Sequence, residues 1–103
     1  MIVAKFDIKE DLIKEVKVYG HSNSNEYGKD LVCAGVTAIM SGTLNGLDQI
    51  YKNNVNLIVE ENEIKIIVLK NTNDLQKILR FLLIQLETIS IQYPNNFKIE
   101  GVL

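Results

Sequence analysis

Cysteine, histidine, proline and tryptophan are scarce in this 103-residue chain, which has one each of the first three and no tryptophan. A single cysteine excludes a disulfide within the chain. One cysteine and one histidine are also too few ligands for a structural zinc site, so we expect neither a metal nor a cofactor. The formal net charge of −2 argues against a large phosphate-binding surface, and we therefore expect no direct binding of nucleic acid.

Long apolar runs are also missing: none approaches the roughly 20 residues that a membrane-spanning helix needs. Residues 1–5 include no basic region followed by an apolar core, so we expect no signal peptide and no membrane association. A protein with one cysteine and no export signal is expected in the reducing cytoplasm. The length is that of one domain, residues 1–103, with a single core.

Alternation of apolar and polar residues at period two predicts five short strands. Polar turns at Glu10-Asp11 and Glu61-Asn62 separate the first four strands into two antiparallel hairpins. The fifth is expected at the edge of the sheet. The predicted strands cover residues 2–8, 12–19, 55–59, 64–68 and 97–101.

Two segments with helical periodicity lie between and after the hairpins. We expect Asp30 to cap the first, which places Cys33 in its first turn. The second is expected to begin with Asn73 as its cap and Gln76 as the partner in a capping box, and to end before Pro94. The order ββαββαβ predicts an α+β fold, with one mostly antiparallel sheet and both helices on one of its faces.

A few large apolar residues lie off the main core stripes. Phe81 and Ile84 are on the second helix, and Ile67 and Leu69 are on the other face of the second hairpin. Such residues indicate a second apolar contact outside the core.

The stretch from Gly20 to Ile39 contains both the histidine and the cysteine, and it is the chemically distinctive part of the chain. His21 follows the second strand, and Cys33 lies twelve positions further on. Residues 22–29 between them include no aliphatic side chain, which is typical of a mobile loop. A thiolate is stabilised by a helix N-terminus and by a nearby imidazolium, so Cys33 and His21 are candidates for a nucleophile and its base.

Simpler interpretations exist for each of these residues. A lone cysteine in a helix is most often a small core residue, and a lone histidine after a strand is usually a surface group. Asp30 is explained by helix capping as well as by orienting the imidazole. Gly20 and Gly28 are explained by turns as well as by hinges of a substrate loop.

A known family has the same pattern. Gly20-His21-Ser22, followed by residues 28–38 (GKDLVCAGVTA), resembles the signature G-H-A-x5-G-x-D-x-V-C-A-[AG]-V-S-A of the ribosomal-processing cysteine protease family Prp. The spacing from histidine to cysteine is the same, and the ββαββαβ order covers the whole chain as it does in that family. Ser22 and Thr37 replace an alanine and a serine of the signature, and both keep the side chain small.

The resemblance implies a homodimeric cysteine endopeptidase that removes the N-terminal extension of large-subunit ribosomal protein twenty-seven. Its partner would be the N-terminal peptide of that protein. The family's catalytic residues carry over onto Cys33 as nucleophile and His21 as base, with Asp30 as a signature position. The family's substrate loop carries over onto residues 22–29. In that loop Tyr27 is the residue able to stack on a large substrate side chain.

Two functions remain open from the sequence. The first is hydrolysis of a peptide bond through a thioester on Cys33. The second is a non-catalytic ribosome-assembly or peptide-binding module with a vestigial Cys–His pair. The intact pair and its loop favour the protease.

Overall fold

The fold consists of two β-hairpins, each followed by a helix, and a final strand. The structure, a computed structural model, describes residues 1–20 and 27–101, with side chains in the first helix from Leu31 onward. The elements are β1 (Ile2–Lys9), β2 (Leu12–Tyr19), α1 (Tyr27–Ile50), β3 (Val55–Glu60), β4 (Glu63–Val68), α2 (Asn73–Gln92) and β5 (Phe97–Glu100).

The strands form one sheet in the order β3-β4-β2-β1-β5. The β1–β2, β2–β4 and β3–β4 pairs are antiparallel, and β1–β5 is parallel. The α+β prediction with a mostly antiparallel sheet is therefore confirmed, and β5 lies at an edge as expected. The parallel pair arises because the chain crosses the sheet through α2 before β5 begins.

Register decides which side chains enter the core. Ala4 pairs with Val18, Phe6 pairs with Val16, and Val16 pairs in turn with Ile66, so small and large apolar residues line the face that the helices cover. Both helices contribute to the same buried cluster. Its helical members are Val32, Val36, Met40, Leu47, Leu75, Leu79, Leu82, Leu83 and Leu86.

The start of α2 differs from the sequence prediction. Thr72 is the N-cap, and its hydroxyl accepts a hydrogen bond from the Leu75 amide at 3.1 Å. Asn73 is the first helical residue, so the predicted cap is wrong by one position. Gln76 takes no part in a capping box, because its buried side chain bonds both backbone groups of Ile13 on β2.

α1 is more apolar than the absence of long uninterrupted apolar runs in the sequence indicated. Its Leu31–Ile50 segment has the length and mean hydropathy, 1.2, of a membrane-spanning helix. We expected no apolar segment of about 20 residues, and this expectation was wrong, because Leu31–Ile50 reaches that length with enough apolar residues. Here the helix packs one face on the sheet through Val32, Val36 and Met40. Much of its exposed face is built from small residues, among them Ala34, Ala38, Ser41 and Gly42, which add little apolar surface.

Candidate active site

Cys33 lies on α1 beside an open groove of about 360 Å³. Its side chain is partly buried and packs against the edge of the core. The apolar residues that line the groove are Ile2, Val18, Val36, Met40, Val59 and Ile64, and its polar residues are Thr37, Ser41, Glu60, Glu61, Asn62 and Glu63. Cys33 is the sole thiol of the chain, so any thiol chemistry in this groove belongs to it.

Three parts of the sheet meet at this groove. β2 ends there at Gly20, β1 begins there at Ile2, and the turn between β3 and β4 forms the opposite wall. The turn reaches this place because Tyr19, at the end of β2, pairs with Glu63, at the start of β4. Ion pairs support this arrangement, since Glu63 Oε1 lies 3.5 Å from Lys17 Nζ and 3.4 Å from Lys65 Nζ.

Gly20 has a definite structural reason to be glycine. Its φ of +91° is strained for any other residue, and a Cβ at this position would overlap the carbonyl oxygen of Met1. The close approach to Met1 fixes where β2 ends, and Gly20 lines the same groove as Cys33. The chain therefore reaches the position before His21 at the wall of the groove.

The start of α1 corrects two predictions about the site. α1 begins at Tyr27, so Asp30 lies inside the first turn and is not the N-cap. Cys33 is consequently the seventh residue of the helix rather than a first-turn residue. The field of a helix terminus falls off within one turn, so it contributes less at Cys33 than the sequence predicted.

Helical structure also extends into the predicted substrate loop. Of residues 22–29, Tyr27, Gly28 and Lys29 belong to α1, so Gly28 is a helical residue rather than a turn or loop hinge. His21, Ser22 and the rest of the loop to residue 26 lie outside the described residues, as do the side chains of Tyr27 and Asp30. Of the predicted site residues, the structure brings Gly20 and Cys33 to one groove.

The sequence did not identify the wall formed by the β3–β4 hairpin. Val59, Asn62 and Ile64 are far from Cys33 along the chain, and they reach the groove only because β4 pairs with β2. No local motif signals that pairing. Their contribution makes the groove a cleft with an apolar floor beside a thiol, which suits an extended peptide with an apolar side chain near the sulfur.

Comparison with known proteins places the whole chain in one family. The model of the family described as cysteine protease Prp matches residues 1–98. The ribosomal processing cysteine protease Prp of Staphylococcus aureus is 28% identical over 93 residues, which cover 87% of this chain and 88% of that protein.

Solved structures agree with this assignment. The crystal structure of an essential ribosomal processing protease Prp from S. aureus with a substrate peptide superposes with a TM-score of 0.86 at 26% identity, covering 97% of this chain and 98% of that one. The same protease with a covalently linked product peptide gives a TM-score of 0.85, also at 26% identity and the same coverage. The chain belongs to the Prp family of cysteine proteases, because the family model matches residues 1–98 and the fold superposes on solved structures of a Prp protease.

Proposed function

We propose that this protein is a ribosomal processing protease that removes the N-terminal extension of large-subunit ribosomal protein twenty-seven. The observation that carries the proposal is the position of the single thiol, Cys33, beside an open groove of about 360 Å³, on a fold that superposes on a peptide-bound protease. The relatives are named for ribosomal processing, which supports the substrate. Such a protein acts in the cytoplasm, where ribosomes assemble.

In this proposal Cys33 is the nucleophile and His21 is the general base. His21 takes the thiol proton as Sγ attacks the carbonyl carbon of the scissile bond, and it returns that proton to the leaving amine as the C–N bond breaks. A thioester remains on Cys33. Water then attacks it, giving up a proton, and the products are a free carboxylic acid and the regenerated thiol.

The substrate loop and Asp30 have supporting roles in the proposal. Ser22 and the neighbouring loop residues close over the peptide, Tyr27 stacks on a large substrate side chain, and Asp30 orients His21. Gly20 supports this assignment, because it lies at the wall of the groove and directly precedes His21 in the sequence.

Mass mapping of the ribosomal protein tests the substrate. The precursor with its extension is incubated with this protein, and the N-termini of the products are read by mass spectrometry. We expect one new N-terminus at the end of the extension. A precursor that stays intact would favour the non-catalytic assembly module, and cleavage at many scattered sites would contradict a dedicated processing role.

We also propose that the protein is a homodimer, and that the outer face of its helices forms the contact. Phe81 and Ile84 are 64% and 59% exposed, as their position off the core stripe predicted. They belong to α2, beside a cavity of about 490 Å³ between the two helices that Phe81 lines. On the α1 side of this cavity a Cβ at Gly42 or Gly46 would meet no atom within 4 Å, so the backbone there is open to close approach.

Replacement of Phe81 with glutamate tests the dimer. We expect light scattering to show a dimer for the unmodified protein at micromolar concentration and a monomer for Phe81→Glu, because a charge in a buried apolar contact is costly. Leu69→Glu, directly after the end of β4 and similarly exposed at 65%, is the matched control and should leave the mass unchanged, because the proposed contact lies on the helices. A monomer before any substitution would contradict the dimer, and an unchanged dimer in Phe81→Glu would exclude this face.

A further inference from the structure

β3 is an edge strand that ends at the groove of Cys33. Within residues 1–20 and 27–101, β4 is the only strand that pairs with it. An edge strand offers a row of backbone N–H and C=O groups to another extended chain. At the far edge of the sheet, β5 is paired with β1 and lines no part of the groove.

The turn after β3 determines which backbone groups face outward. Glu60 pairs with Glu63 across a two-residue turn, and the pair that closes such a hairpin exchanges both hydrogen bonds. Hydrogen-bonded and non-hydrogen-bonded pairs alternate along an antiparallel ladder. The N–H and C=O of Val59 therefore point away from β4, and those of Leu57 do the same.

Val59 joins this edge to the groove. Its side chain is 67% exposed, although valine is a residue that strands normally bury, and it lines the same cleft as Cys33. It pairs with Ile64, so both residues lie on the face of the sheet that the helices cover. The end of β3 and Cys33 line one groove, so an extended peptide whose backbone lies along the free edge of β3 would continue past the end of the strand and bring its scissile bond to the thiol.

We propose that the substrate peptide is held as an added strand on the free edge of β3, with its backbone hydrogen-bonded to the N–H and C=O of Val59. The proposal rests on the proposed function, because the occupant is the peptide that Cys33 cleaves. Val59 acts as a positioning residue. Pairing of this kind binds any extended backbone, while contacts between the apolar floor of the groove and the peptide side chains provide the sequence specificity.

A scan of backbone N-methylation in the substrate tests the pairing directly. Synthetic peptides that span the mapped cleavage junction carry one N-methyl group each, at successive positions away from the scissile bond. We expect kcat/KM to fall about tenfold or more at alternate positions and to change less than about threefold between them, because only every second N–H of an added strand faces its neighbour.

Two variants of Val59 test the same bond from the side of the enzyme. Val59→Pro removes the outward N–H and leaves the β3–β4 ladder intact, and edge strands tolerate proline at such positions. We expect KM to rise about tenfold with the midpoint of unfolding little changed. Val59→Thr keeps both the shape and the N–H, and should keep KM within about threefold.

The outcomes separate the pairing from the chemistry. If the unmodified peptide is cleaved and N-methylation changes kcat/KM equally at all positions, the added strand is overturned but the proposed protease activity is not. A Val59→Pro protein that folds and keeps its KM would do the same. Absence of any Cys33-dependent cleavage would overturn the proposed function, and this inference with it. If Val59→Pro does not fold, the peptide scan alone decides.

Discussion

Replacement of Cys33 with alanine is expected to reduce turnover of the cleavage peptide by at least about 10³-fold, with peptide binding retained. The residue supplies the atom that attacks the carbonyl, and no second thiol exists in the chain to replace it. Cys33→Ser should lose almost as much, because a serine hydroxyl is a far weaker nucleophile than a thiolate. Rates of product formation and the affinity of each variant for the peptide measure the two effects separately.

Hydroxyl groups in the groove provide the matched control for Cys33. Ser41 lines the same cleft about two helical turns further along α1, so Ser41→Ala tests whether any small polar change there abolishes cleavage. We expect it to retain most of the activity. Turnover by Cys33→Ala close to that of the unmodified protein would contradict the protease interpretation. The His21→Ala variant lacks the base, so we expect its turnover to fall by several orders of magnitude.

Replacement of Gln76 with methionine is expected to destabilise the fold by about 2–4 kcal/mol. The Gln76 side chain accepts a hydrogen bond from the Ile13 amide at 2.8 Å and donates one to the Ile13 carbonyl at 2.9 Å. Ile13 pairs with Ile8 of β1, but the pairing of β2 with β4 begins only at Glu15, so Gln76 supplies hydrogen bonds to Ile13 on the side that β4 does not reach. Methionine has nearly the same length and would leave both backbone groups buried without a partner.

Urea denaturation measures this effect, and Gln49→Met is the control. Gln49 is exposed on α1, and within the described residues its side chain bonds only Asn45 on the same helix, so its loss should cost less than about 0.5 kcal/mol. A Gln76→Met protein as stable as the control would show that Ile13 finds other partners. The anchoring of α2 on β2 by Gln76 would then be wrong.

Local patterns in the sequence predicted the elements of this fold well. Period-two alternation located the hairpins because one face of the sheet is buried, and the turn at Glu10-Asp11 is confirmed, with φ of 54° and 63° at these residues. Helix boundaries were less accurate. Thr72, Asn73 and Asp30 can each cap a helix by their chemistry, and the backbone around them decides which one does.

The site was only partly predictable, because its walls come from distant segments. Cys33 and Gly20 lie within one short stretch that carries the family signature, and the structure brings both to the groove. Val59 and Ile64 reach the groove through the pairing of β4 with β2, which depends on long-range register rather than on any local motif. The free edge of β3 follows from the strand order, which alternation along the chain does not contain.

The most direct test of the central claim is detection of the peptide as a thioester on Cys33. The protein is mixed with the cleavage peptide, quenched in acid within the first turnover, and its intact mass is measured before fragmentation locates the added group. We expect the acyl half of the peptide on Cys33, and no added mass on the Cys33→Ala protein. Cleavage that proceeds without any acyl group on Cys33, or with the group on another residue, would contradict the account.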